Sequence, residues 1–251
     1  MCDYLTNLLP VYAGMVKDLE MRFLKLYPNR TYKDMKVYVQ RQILRRARNM
    51  IDKKKLKSLL QQDKMNVNSL LLTHKSWIER GIHNDYYSQI EPYLLKSRTV
   101  LDIGCGFSPI YLLSRYRHFN DFCGIDSNRS VIDVLRYVCP NISKSKTSFI
   151  ANRIENVSLG KIDFDFVFVQ KLIPYLMKKS KKSSLQAIQN LITSYAFISC
   201  SKRSLSRPCS IIKEEKSAIE QFCSHKIFCI VDQFDKENEY GYVIKRKEIL
   251  K

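Results

Sequence analysis

Five residues, Thr99-Val100-Leu101-Asp102-Ile103, run directly into Gly104-Cys105-Gly106, and a second apolar run, Phe122 to Ile125, ends on Asp126. A short apolar run that meets paired glycines and then an amphipathic stretch reads as a buried strand turning tightly into a helix. Repetition of that unit forces parallel strands, because a strand can return in the same direction only through a long crossover. Further runs at Thr147 to Ile150, Phe164 to Val169 and Tyr195 to Ser199 continue the pattern. Near the end, Lys226 to Val231 and Tyr240 to Lys245 are separated by the polar segment Asp232 to Glu239, which predicts an antiparallel hairpin closing the sheet. The expected fold is α/β, a Rossmann-like open sheet with a closing hairpin.

In such a sheet a ligand lies outside the carboxyl ends of the strands, where the first strand-turn-helix unit brings backbone close to it. Gly104 and Gly106 suit that turn, since a residue without Cβ takes conformations closed to others and leaves room for the ligand. Asp126 follows at the distance expected of a carboxylate that reads ribose hydroxyls. Ser108-Pro109 stands where a dinucleotide fingerprint places its third glycine. The pattern therefore predicts an adenosine-containing cofactor without a tightly held pyrophosphate.

Residues 1–95 read differently. Their apolar spacing is three and four, with little strand signal, which predicts a small all-helical domain ahead of a second domain over 96–251. From Asp34 to Leu60 one helix is expected, with Val37, Gln40, Leu44, Ala47 and Ile51 on its core stripe and Arg41, Arg45 and Arg48 along one flank. Arg46, Lys53, Lys54 and Lys55 extend the positive charge, and residues 1–95 hold 17 Lys and Arg against 9 Asp and Glu. The whole chain carries a formal charge of +19, so a polyanion is the expected partner and nucleic acid the first candidate. Arginines spaced like these grip successive phosphates through a two-donor fork, and few carboxylates stand three or four residues away to neutralise them. Their alternative reading is a solvated helix face.

The eight cysteines include no C-x-x-C pair and sit largely in apolar runs, so they read as reduced core residues, and the four histidines show no metal-ligand spacing. No metal site is expected. Met1 to Pro10 lacks the basic flank and apolar run of a signal peptide, and no stretch is long and apolar enough to span a bilayer, which predicts a cytoplasmic protein.

The glycine turn and Asp126 resemble two motifs of class I S-adenosylmethionine-dependent methyltransferases. Asp163 to Leu176, in which an apolar strand enters Lys171-Leu172-Ile173-Pro174, is similar to the fourth-strand segment of one family among them, the aminoglycoside-resistance methyltransferases of 16S ribosomal RNA. Three other segments agree: His74 to Arg80 ahead of Asp85-Tyr86-Tyr87, the Gly104 to Pro109 loop, and Phe197-Ile198-Ser199 with Ser204-Leu205-Ser206. The likeness covers Asp34 to Ile244, thinly at its start. It implies methylation of decoding-site guanine 1405 at N7, on the 30S subunit, with S-adenosylmethionine as methyl donor. A monomer is expected, although nothing in the sequence fixes the oligomeric state. The chain departs from the family pattern at Ser108, at Cys200-Ser201 and at Arg207.

Carried over by position, the resemblance implies that Arg80 pairs with the methionine carboxylate of the cofactor. Asp102, Gly104, Cys105, Gly106 and Gln170 would surround its amino-acid end, Asp126 its ribose, and Ser127, Asn152 and Arg153 its adenine. Lys171 would lie beside the target base, and Lys202 and Arg203 would join the N-terminal basic residues on RNA. Guanine N7 carries a lone pair and no proton, so the lack of an obvious catalytic base says nothing against such an acceptor, whereas it counts against a hydroxyl. Two alternatives stay open: a class I methyltransferase with another RNA site or a small molecule as acceptor, and a non-catalytic ribosomal RNA-binding protein on the same scaffold.

Overall fold

The computed structural model describes residues 19–35, 37–39, 51–62, 66–80, 85–160, 162–202, 211–236 and 238–247. It forms two compact units, Met1–Gly81 with Arg203–Ile211, and Ile82–Lys202 with Ile212–Lys251.

Among its described residues the first unit is helical: α1 (19–26), α2 (32–35, continued at 37–39), α3 (Lys53–Leu60), α4 (Val67–Leu71) and α5 (Lys75–Arg80). Thr31 and Asp34 open α2 reciprocally: the Asp34 carboxylate accepts from the Thr31 N–H at 3.2 Å, and Thr31 Oγ1 accepts from the Asp34 N–H at 3.3 Å. The single helix expected over Asp34 to Leu60 does not form. Ile51 instead makes an antiparallel bridge with His74, the Asp52 N–H donates to the Thr73 carbonyl at 2.8 Å, and the Asp52 side chain caps α3 by accepting from Lys55 N at 3.1 Å. A capping carboxylate offers the backbone a partner that competes with helix continuation, and periodicity alone does not register it. Of the expected core stripe, Ile51 is buried and Val37 is exposed, its neighbours Met35 and Val39 being buried instead; Gln40, Leu44 and Ala47 lie outside the described residues.

Leu70, Leu71 and Trp77 are fully buried here, and His74 is buried with them. Burial, helped by the positive charge of Arg80, lowers the His74 pKa from its ordinary 6.5 to about 3. Between those values only the unfolded chain takes up the proton, so this contribution to stability is complete above pH 6.5 and is lost as pH falls toward 3. The slope is at most about 1.4 kcal/mol per pH unit. Urea denaturation between pH 4 and 7 should show this acid limb, and His74→Gln should flatten it; an unchanged limb in that variant would assign the loss to other groups.

The second unit begins earlier than the residue-95 boundary read from the sequence, because Tyr86 and Tyr87 are core residues of the sheet. Tyr87 packs against Tyr111, Phe168 and Phe197 with ring centroids 5.5, 5.6 and 6.4 Å away. After α6 (Glu91–Leu94) come β1 (Thr99–Ile103), α7 (Ser108–Arg115), β2 (Asp121–Asp126), α8 (Arg129–Ile142) and β3 (Lys146–Ala151). They are followed by β4 (Phe166–Gln170), α9 (Ile173–Lys178), α10 (Lys182–Leu191), β5 (Tyr195–Ser201), α11 (Ile212–Cys223), β6 (Phe228–Asp235) and β7 (Glu239–Arg246). The strand order is β3-β2-β1-β4-β5-β7-β6. The first five strands are parallel, and β7 runs antiparallel to both its neighbours, so the α/β sheet with a closing hairpin is the observed architecture.

Two boundaries move from the sequence reading. Phe164 is buried but precedes β4, because the Asp165 carboxylate turns aside to accept from the N–H groups of Arg98 and Thr99 at 2.7 and 2.8 Å. The polar segment Asp232 to Glu239 is not all loop: β6 reaches Asp235 past a register shift between Ile230 and Asp232, and β7 already begins at Glu239. An edge strand tolerates polar residues on its open face, so polarity understated its length. Gly241 marks a close approach of β7 to β5. A Cβ there would stand 2.5 Å from the Ile198 carbonyl oxygen and 2.9 Å from the Phe197 ring. Gly241→Ala should therefore destabilise this unit by about 1–3 kcal/mol, read as a lowered denaturation midpoint.

Candidate functional site

The order of the sheet reverses between β1 and β4, and the chain's chemistry gathers at the carboxyl ends of these strands and of β2. After β1 the backbone passes through two left-handed residues, Gly104 at φ 71° and Gly106 at φ 50°. Such values favour glycine, and they fold the loop back toward β2. The N–H groups of Gly104 and Cys105 both donate to the Ile125 carbonyl, at 2.8 and 3.1 Å.

Asp126 closes the arrangement from the β2 side. One carboxylate oxygen accepts from the Gly106 N–H at 3.0 Å and the other from the Asn128 N–H at 2.8 Å. Each oxygen keeps a second lone pair for a further donor. Burial raises the pKa of this carboxyl, opposed by the two backbone hydrogen bonds. The Asp126 carbonyl in turn accepts from Asn152 N at 3.1 Å, which ties the end of β3 to the same place.

These elements border a cleft of about 500 Å³. Gly104, Asp126, Ser127, Asn152 and Arg153 line it, with Ile103 and Ile125 supplying apolar wall. Of the other residues nominated from the sequence, Gly106 contributes through its bond to Asp126. Asp102 and Cys105 are buried outside the lining, and burial holds the Cys105 thiol well above its ordinary pKa, so it is an uncharged packing group. Arg80 lies in the helical unit at the end of α5, buried, with its guanidinium 5.4 Å from the centre of the Trp77 ring.

Gln170 and Lys171 end β4. The Gln170 side chain accepts from the Tyr87 hydroxyl at 3.0 Å. Lys171 adopts φ 57°, a strained value for a residue with a Cβ, and its N–H donates to the Ser199 carbonyl at 2.9 Å. Strain of this kind persists where the surroundings over-determine it, and it gathers at functional positions. Pro174 sits in the first turn of α9, where a missing N–H matters little. The Lys171 ammonium stands 3.5 Å from Glu239 Oε2, and that buried carboxylate also accepts from Tyr86 OH at 2.6 Å and Ser199 Oγ at 2.5 Å.

Glu239 escapes a sequence reading because it sits in a run of polar residues far from Lys171. Its one local sign is its place directly before the apolar run Tyr240 to Ile244. The far wall of the cleft is likewise new: Leu172, Tyr175, Leu176, Lys181, Ser184 and Glu155, with Ser184 Oγ donating to Glu155 at 2.8 Å.

The basic positions fall into three groups. Lys53, Lys54 and Lys55 lie in the first turn of α3, with the side chains of Lys54 and Lys55 exposed. Lys202 is ion-paired with Asp235. Arg41, Arg45, Arg46, Arg48 and Arg203 lie outside the described residues, as do Ser204, Leu205, Ser206 and Arg207. Among the described residues no helix is long and apolar enough to cross a membrane.

No family model matches the chain, and no curated protein matches it. Solved structures do match. An rRNA methylase from Escherichia coli aligns with a TM-score of 0.66 at 20% identity, covering 94% of this chain and 92% of that one. The 16S rRNA methyltransferase RmtF, in complex with S-adenosyl-L-homocysteine, aligns at 0.63 and 19% identity over 98% of this chain and 94% of its own. The 16S rRNA methylase ArmA gives 0.61 and 25% identity, covering 77% and 97%. The chain has the class I methyltransferase fold, and the structures it is similar to are described as methylases of rRNA or of 16S rRNA.

Proposed function

We propose that this chain is an S-adenosylmethionine-dependent methyltransferase that modifies 16S ribosomal RNA in the 30S subunit, at N7 of the decoding-site guanine, and so confers aminoglycoside resistance. The observation that carries the reading is the cleft at the strand ends, with left-handed Gly104 on one side and the Asp126 carboxylate on the other. A nucleoside cofactor suits it: backbone approaches closely at the glycine, and a carboxylate with spare lone pairs faces vicinal hydroxyls. The likeness to 16S rRNA methylases and the charge of +19 support an RNA acceptor over a small molecule.

In this reading Asp126 holds the ribose, Ser127, Asn152 and Arg153 surround the adenine, and the turn from Gly104 to Gly106 receives the amino-acid end, above buried Asp102. Arg80 takes the methionine carboxylate on the strength of the sequence resemblance. When bound, S-adenosylmethionine would supply an electrophilic methyl group, its sulfur keeping the bond pair and leaving as the neutral thioether. Guanine N7 would offer its lone pair and carries no proton, so the protein's own residues need to position rather than deprotonate the acceptor. Lys171, held by Glu239, donates to guanine O6 or to an adjacent phosphate. Arg41, Arg45, Arg46, Arg48, Lys53, Lys54, Lys55, Lys202 and Arg203 are assigned to RNA phosphates.

Borohydride-aniline treatment of methylated 16S RNA cuts at N7-methylguanine and tests the acceptor directly. A single strong cut at the decoding site is expected. Methyl incorporation without any cut would move the acceptor to another atom or another RNA.

A further inference from the structure

Between α9 and α10 the chain reads Lys178-Lys179-Ser180-Lys181-Lys182, and all four lysines are exposed. A run of surface lysines is by itself an ordinary solvated face. Three observations bear on this one. Among the described residues none of the four ammonium groups has a carboxylate within ion-pair distance, although Lys178 and Lys181 lie within electrostatic reach of Glu215 and Glu155. The turn is fixed: Ser180 takes φ 52°, its N–H donates to the Met177 carbonyl at 2.9 Å, and the N–H groups of Lys181 and Lys182 donate to Leu176 and Ser180 at 2.9 and 3.0 Å. Finally, the same turn is wall to the cleft, which Tyr175, Leu176, Lys181 and Ser184 all line.

We propose that this turn is a phosphate-binding surface for the RNA strand that carries the methyl acceptor, seated at the mouth of the cleft. The inference rests on reading the chain as an RNA-modifying enzyme, and it adds to the basic residues of the helical unit a second anchor beside the chemistry. Four exposed ammonium groups without ion pairs, carried on a tight corner of held backbone, match the spaced anionic charges of a nucleic-acid backbone. Tyr175, 57% exposed one helical turn before Lys179, offers a flat face on which an unstacked base can rest. A lipid surface fits less well: of the apolar residues of α10, Ile188 is fully buried and Leu185, Ala187 and Leu191 pack against the core, so this helix offers no broad apolar face to insert.

The test is a combined Lys178→Gln, Lys179→Gln and Lys182→Gln variant of the full chain; Lys181 is kept because it lines the cleft. Binding to 30S subunits is measured across a salt series. The slope of log affinity against log salt should fall by about 2 relative to the wild type, near 0.7 for each phosphate no longer neutralised, and affinity near 0.1 M salt should drop on the order of 10- to 100-fold. Affinity for S-adenosylmethionine should be unchanged. A wild-type slope in the variant would overturn the proposal, and so would a variant that loses only binding to phosphatidylglycerol vesicles. If the wild type binds 30S subunits with the expected slope difference yet transfers no methyl group, the enzymatic reading fails while the docking surface stands. If the wild type binds no ribosomal RNA, both fall.

Discussion

Replacing Asp126 with Ala should weaken S-adenosylmethionine binding by at least about 100-fold, measured by isothermal titration calorimetry. The two charge-assisted hydrogen bonds to ribose hydroxyls proposed for Asp126 would contribute about 1.5–3 kcal/mol each, and both would be lost together. The same carboxylate also holds the amides of Gly106 and Asn128, so its removal should loosen the loop that borders the proposed cofactor cleft. Asp126→Asn keeps one acceptor oxygen and should fall between the two. Because burial raises the Asp126 pKa, acidification should weaken cofactor binding before the pH reaches the ordinary carboxylate range. The sign follows from the ribose contact, which needs the ionised form: affinity is full above the raised pKa and is lost as pH falls through it. Asp126→Asn should abolish that dependence. Affinity for the Ala variant within a few-fold of wild type would remove Asp126 from the ribose site.

The second large effect should come from Lys171. Lys171→Ala should lower single-turnover methyl transfer by about 100-fold or more, since misplacement of an acceptor by roughly 1 Å is enough for such a loss. Affinity for the 30S subunit and for S-adenosylmethionine should change little, because the role proposed for the lysine is to position one base. Glu239→Gln keeps the shape and one acceptor oxygen, so that one of the Ser199 and Tyr86 hydroxyls must turn to accept from the amide, and it removes the charge 3.5 Å from the ammonium group. It should therefore reduce transfer less than Lys171→Ala does, and should add nothing when combined with it. A Lys171→Ala enzyme with full turnover would confine this residue to a structural role. An additive double variant would show that Glu239 acts independently of Lys171.

The parts of this molecule that were legible in the sequence are those governed by local rules. Apolar runs of strand length, glycines at a tight turn and an acidic residue at the next strand end each follow from neighbours in the chain, and they placed Gly104 and Asp126 on one cleft. The hairpin at the end was legible for the same reason. What sequence patterns concealed depends on contacts between distant segments. Nothing about a lysine announces a φ of 57°; that conformation is imposed where β4 meets Ser199 on β5. Glu239 gains its role from Ser199, Tyr86 and Lys171, which come from three other parts of the chain. The helix drawn through Ile51 failed because a bridge to His74 and a cap at Asp52 outweighed a periodicity that looked continuous. Tyr87 read as part of a helical segment, whereas its ring is packed against Phe168 and Phe197.

The most direct measurement of the proposed activity is transfer of tritium from methyl-labelled S-adenosylmethionine by the purified chain. Labelled incubations would compare assembled 30S subunits, deproteinised 16S RNA and buffer alone. Incorporation into the RNA of the 30S subunit, absent from buffer and lost with Asp126→Ala, is the expected result. No label in any acceptor, from a folded protein that binds ribosomal RNA, would contradict it.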